Sequence, residues 1–71
     1  MNTKVLERLG KNLKRYRLDK HFTQEKLAEK VGVHPTYIGK LESGKNNPSF
    51  MLLYKTSRAL GIKLKDLLDF E

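Results

Sequence analysis

Apolar residues recur at helical spacing along almost the whole chain. Leu6, Leu9, Leu13 and Tyr16 stand at i, i+3, i+7 and i+10, one stripe of a helix predicted over about residues 3–19. The other side of that segment carries Lys4, Arg8, Lys11, Lys14 and Arg15, and Asp19, Lys20 and His21 make a polar turn after it. Thr23 brings a side-chain oxygen suited to capping a second helix, whose inward stripe is Leu27, Ala28 and Val31. Gly32 falls just past that helix, where a left-handed residue is needed and Gly adopts it without a Cβ clash. Pro35 suits the first turn of a third helix, because the N–H it lacks has no intrahelical partner there. This helix is predicted to reach about Ser43, with Ile38 and Leu41 inward and Gly44 ending it. After a Lys45-Asn46-Asn47-Pro48 loop, Ser49 caps a fourth helix bearing Phe50, Leu53, Ser57 and Leu60, stopped by Gly61. A short fifth helix spans about Leu64 to Leu68. Val31-Gly32-Val33 is the best strand candidate, and a Gly inside so short a run defeats it. The pattern therefore predicts an all-α chain, a five-helix bundle forming one domain over residues 1–71 with its core at about 6–68.

The break at Gly32 to Pro35 is the most informative feature of this pattern. Two short helices joined by a Gly-containing turn of about three residues cross steeply, the helix-turn-helix geometry. The second of them then projects as a rod of a width that the major groove of B-DNA admits. An αα-hairpin that merely packs has the same periodicity, so composition must discriminate. With Ile38 and Leu41 taken by the core, Pro35, Thr36, Tyr37, Gly39 and Lys40 remain to face outward. Lys40 can bond guanine or a phosphate, and Thr36 offers a hydroxyl and a methyl suited to thymine. Gly39 permits close approach. A structural surface helix would favour Glu, Lys and Ala here, since Gly, Pro and Thr cost helix propensity.

Charge agrees. Among 71 residues, fifteen Lys and Arg against eight Asp and Glu give a net +7. Residues 1–20 hold seven basic and two acidic side chains, whereas residues 21–45 hold four and three. Such a surface suits a polyanion, nucleic acid or an anionic membrane. The basic, amphipathic first helix could lie on a membrane, but the core requires its apolar face and it lacks Trp and Phe. No apolar run approaches the ~18 residues of a membrane span, and no signal peptide is expected. The absence of Cys fits a reducing compartment, so a cytoplasmic location is expected. His21 and His34 have no metal-ligand spacing, and Ser43, Ser49 and Ser57 read as end-of-helix, cap and core residues. No phosphate-binding Gly loop or nucleotide fingerprint is present. Neither catalysis nor a metal, cofactor or small-molecule ligand is expected.

The stretch FTQEKLAEKVGVHPTYIGKLESGKNNPSF, continued by LLYKTSRALGIKLKDLL, resembles the Cro/phage-repressor-type helix-turn-helix proteins, also called the Xre family. TQEKLA, the turn Gly, the Ile of the third helix, LESGK, NPS and ALGI occur in the family's order and spacing, over about residues 6 to 68. HPTYIG further resembles the short controller proteins of restriction–modification systems. The resemblance implies a lambda-repressor-like fold and a sequence-specific regulator binding double-stranded DNA through the helix at 35–43. It assigns Pro35, Thr36, Tyr37 and Lys40 to base reading or groove lining. Gln24 at the start of the second helix, with Thr23, falls on phosphate; Ser43, Lys45, Asn46 and Asn47 would hold phosphate beyond the third helix. His34, at the N-cap of that helix, is a further phosphate candidate. Arg17 and Glu42 match a family pair tying the first helix to the third. Two departures stand out. Pro35 replaces a basic or amide side chain that reads a base, and Thr56 and Ser57 replace aliphatic and Ala residues, which predicts a wetter or looser core there. An alternative use of the same fold is an antitoxin-like or other protein-interaction module, since fold does not fix function.

A homodimer is expected on physical grounds. Each bidentate base contact discriminates by about 1–3 kcal/mol, against roughly 10⁶–10⁹ competing genomic sites. Two rigidly joined recognition helices are needed, on a palindrome with half-sites ~34–36 Å apart. Leu64, Leu68 and Phe70 near the C-terminus are the interface candidates, with Leu64 and Leu67 better placed than Leu68 and Phe70 to seal the monomer core.

Overall fold

Local capping chemistry sets most of the helix boundaries. In the computed structural model, which describes residues 3–69, the elements are α1 (Thr3–Asp19), α2 (Gln24–Val31), α3 (Pro35–Glu42), α4 (Phe50–Leu60) and α5 (Leu64–Leu68). Thr23 Oγ1 accepts from the Lys26 N–H at 3.0 Å, and Ser49 Oγ from the Leu52 N–H at 3.1 Å, each satisfying a donor that the first turn leaves free. His34 caps α3 in the same way, its Nδ1 accepting from the Thr36 N–H at 3.1 Å. At α5 the Asp66 carboxylate accepts from the Lys63 N–H at 3.1 Å. His21, in the turn after α1, adopts φ 59° and is exposed. Among the described residues there is no strand, and no helix is long and apolar enough to cross a membrane.

The core is assembled from every helix. Leu9 and Leu13 of α1, Leu27, Ala28 and Val31 of α2, Ile38 and Leu41 of α3, Leu53 and Leu60 of α4 and Leu67 of α5 are all buried. Burial of each large aliphatic side chain contributes about 1.5–3 kcal/mol, which offsets chain entropy in so small a protein. Leu6 and Tyr16, on the predicted stripe of α1, are half-buried. Leu64 is half-buried and packs against the core, whereas Leu68 is 39% exposed. Phe70 lies outside the described residues.

Two expectations about α4 are corrected. Phe50 stands on the inward stripe by spacing but is 68% exposed. It begins the helix, one turn before Leu53, where α4 has yet to reach the core. Thr56 and Ser57 do not loosen the packing: both are buried, with Thr56 Oγ1 donating to the Leu52 carbonyl at 2.8 Å and Ser57 Oγ to the Tyr54 carbonyl at 2.7 Å. Returning its proton to a carbonyl of its own helix lets each hydroxyl enter an apolar interior without a lost hydrogen bond.

α1 is fastened along its length by contacts that periodicity does not reveal. At Gly10 it meets the end of α3 so closely that a Cβ would lie 2.5 Å from the carbonyl oxygens of both Leu41 and Glu42. Gly44 meets the same side of α1 about one turn earlier, against the backbone of Glu7. Asn12, buried, turns its amide to the end of α5, donating to the Leu67 carbonyl at 2.8 Å and lying within 3.1 and 3.3 Å of the carbonyls of Asp66 and Asp69. Its Oδ1 accepts from Arg15 Nη2 at 2.7 Å.

Candidate nucleic-acid interface

The corner between α2 and α3 turns on Gly32. With φ 88° and ψ 34° it is left-handed, and its N–H closes on the Ala28 carbonyl at 2.8 Å. A side chain there would strain the backbone even though nothing lies within 4 Å of a Cβ. The chain turns over Val33 and His34, and Pro35 opens α3 as its first residue. Ile38 and Leu41 then anchor α3 in the core, which fixes the face left outward. Thr36 and Lys40, one turn apart, share that face and are exposed. Pro35 is half-buried, and so is Tyr37, whose ring packs against the core. Tyr37 also lines a shallow groove with Val33, His34, Ser49 and Leu52.

The far end of α3 is held by an ion pair. Arg17 Nε donates to Glu42 Oε2 at 2.6 Å and Nη2 to Oε1 at 3.1 Å, a bidentate fork between side chains only 8% and 5% exposed. Arg17 Nη1 donates to the Phe22 carbonyl at 2.8 Å, so the guanidinium also fixes the chain entering α2. Gln24 joins the same network, its Nε2 donating to Glu42 Oε1 at 3.1 Å. Its amide lies across Gly39, where a Cβ would come within 3.6 Å of Oε1. The first residue of α2 is thereby tied to the last of α3. Gln24 is half-exposed, and Thr23, whose hydroxyl proton the cap leaves available, is exposed.

Beyond α3 the chain folds back over its own last carbonyls. Lys45 N–H donates to the Lys40 carbonyl at 2.9 Å, and Ser43 Oγ to the same carbonyl at 3.1 Å. Ser43, Lys45 and Asn47 are exposed, Asn46 is half-buried and Pro48 is buried. His34 lies exposed at the opposite end of α3, its Nδ1 engaged as the cap acceptor. Thr36, Lys40, Ser43 and Lys45 thus come together on and just after α3, with Gln24 reaching in from α2. Gly10 and Asn12, which set α3 and α5 against α1, were not among the residues that the pattern singled out. A Gly in mid-helix is the signal for the first; no local signal marks the second.

A short helix set across its predecessor, with its polar side uncovered and hydrogen-bond donors at both ends, defines the helix-turn-helix class. The chain belongs to the helix-turn-helix family, whose HTH_3 pattern matches residues 13–67. It is 45% identical over 62 residues to the control protein C.BamHI of Bacillus amyloliquefaciens, across 86% of this chain and 76% of that protein. Among solved structures it is similar to the restriction–modification controller protein C.AhdI from Aeromonas hydrophila (TM-score 0.86, 34% identity, 87% of this chain and 94% of that one). It is also similar to the biofilm master regulator SinR of Bacillus subtilis solved in complex with DNA (TM-score 0.81, 37% identity, 86% and 98%).

Proposed function

We propose that this protein is a sequence-specific DNA-binding transcriptional regulator of the cytoplasm that holds duplex DNA with α3 in the major groove. The observation that carries this reading is the exposed polar face of α3, Thr36 and Lys40, flanked by Lys45. A relative of similar fold solved on DNA supports it. In this reading Thr36 and Lys40 read base edges, with Pro35 and Tyr37 lining the groove. Gln24, Thr23, His34, Ser43, Lys45, Asn46 and Asn47 hold phosphates on the two sides. The Gln24 tether to Glu42 orients its amide before DNA arrives, which reduces the ordering that binding requires.

Selection of bound duplexes from a random pool tests the reading, since the enriched motif gives half-site, spacing and symmetry at once. Two variants then separate positioning from reading. Lys45→Ala should weaken binding to all sequences alike and reduce the salt slope by about 1. Lys40→Ala should relax preference at particular base pairs, losing about 1–3 kcal/mol of discrimination there. A uniform loss from both variants would refute the division of roles. Failure to enrich any motif, with capture of another protein instead, would favour the antitoxin-like alternative.

The same proposal includes a symmetric homodimer on a palindromic operator. Among the described residues, the exposed large apolar side chains available to a second copy are Leu68 at the end of α5, Phe50, Met51 and Tyr54 on α4, and Leu18 near the end of α1, while Leu64 is largely committed to the core. Sedimentation equilibrium at micromolar protein should give a mass near twice that of the chain. A species that stays monomeric both free and on DNA would overturn the dimer.

A further inference from the structure

The charge of this protein sits mainly on a helix outside the helix-turn-helix unit. Residues 1–20 hold seven of the fifteen basic side chains and only two acidic ones, while residues 21–45, which include α2 and α3, are close to balanced. On α1 the exposed Lys4, Arg8, Lys11 and Arg15 fall at i, i+4, i+7 and i+11, a single stripe. Gly10 and Arg17, which meet α3, lie roughly a third of a turn away around the same helix. The stripe therefore lies on a different side of α1 from the one that meets the end of α3.

The stripe is also a row of like charges. Successive members are like-charged neighbours three or four residues apart, an arrangement that weakens a helix. Among the described residues no carboxylate pairs with Lys4, Arg8 or Lys11; the ion pairs there are Arg17–Glu42 and Lys26–Glu29. The stem of Glu7, the carboxylate nearest in sequence, lies against Gly44. Four cations in line over about 16 Å match an extended anion of high charge density, and a duplex presents a phosphate every ~1.7 Å of its axis. A protein partner would be expected to bury an apolar centre, and a bilayer to receive an apolar face. The stripe offers neither: the apolar side of α1 is spent on the core, and the one large apolar residue α1 exposes is Leu18, near its far end.

We propose that the Lys4–Arg8–Lys11–Arg15 stripe is a second, sequence-independent duplex-binding surface, so that the protein holds one DNA segment with α3 and another with α1. The test uses the triple variant Lys4→Gln, Arg8→Gln, Lys11→Gln; Arg15 is kept because it bonds Asn12 and stacks over Tyr16. A biotinylated 40-base-pair duplex of random sequence is fixed to beads, and capture of a second, fluorescent random duplex through the protein is measured. The wild type should capture it. The triple variant should capture about tenfold less, with a capture salt slope shallower by about 3, while still binding the first duplex and melting no lower than the wild type. Capture by the variant equal to wild type would overturn the proposal, because bridging would then belong to paired α3 faces. So would a wild type that captures phosphatidylserine vesicles but no second duplex. Motif selection by α3 is scored separately, so failure here leaves that reading standing.

Discussion

Glu42→Ala should destabilise the protein by about 3–5 kcal/mol, because it leaves the buried Arg17 guanidinium without a counter-charge. Arg17 and Glu42 are almost fully withdrawn from water, so the charge left behind cannot recover its hydration. Gln24 also loses the acceptor for its amide, and the ends of α2 and α3 come untied. In a chain of this length, 1 kcal/mol shifts the melting temperature by about 4–8 °C. The variant should therefore melt at least about 12 °C below the wild type, or fail to fold at 37 °C. Removing both charges gives the opposite test. An Arg17→Met, Glu42→Leu double variant should recover most of the loss, since a buried pair barely breaks even against apolar packing. It should nevertheless bind DNA less well, because nothing then holds Gln24 in place. Urea midpoints for the single and double variants decide the matter. If Glu42→Ala lay within 1 kcal/mol of the wild type, the pair would not fasten α1 to α3.

Helix limits are written in local chemistry, and Thr23, Ser49, Gly32 and Pro35 stand at the predicted boundaries because caps and turns act within a few residues. The outward placement of Thr36 and Lys40 follows from the same logic once Ile38 and Leu41 are assigned to the core. Contacts between distant segments carry no such local mark. Arg17 and Glu42, 25 residues apart, were singled out only because the family resemblance pairs them. Asn12 looks like one more polar residue of a basic helix, yet it bonds carbonyls more than 50 residues away. Phe50 illustrates the converse: its spacing is right, but spacing cannot say where along the axis the core ends.

Gly10→Ala and Gly39→Ala should move stability in opposite directions, although each adds one methyl to a helix interior. Helix propensity alone makes both stabilising by about 1 kcal/mol. At Gly39 the added carbon meets only the Gln24 amide, at 3.6 Å, an ordinary contact with a side chain that can adjust. That variant should be as stable as the wild type or up to about 1 kcal/mol more so. Its methyl stands on the half-exposed side of α3, so affinity for the selected duplex should fall even as stability rises. At Gly10 the added carbon meets two backbone carbonyl oxygens at 2.5 Å, and no rotamer relieves that. Either α1 or the end of α3 must move. Overpacking of a core costs about 1–3 kcal/mol, and a backbone obstacle places this case at the upper end. Net of propensity, Gly10→Ala should lose about 2 kcal/mol. The displacement would fall on the backbone of Glu42 itself, two turns of α1 from Arg17, so it should strain that pair and tilt α3. Affinity for the selected duplex should then drop more than affinity for a random one, because tilt spoils base contacts before phosphate contacts. Paired urea titrations and duplex-binding curves for the two variants test the contrast. Equal stabilisation by both would mean that α1 and α3 do not touch at Gly10.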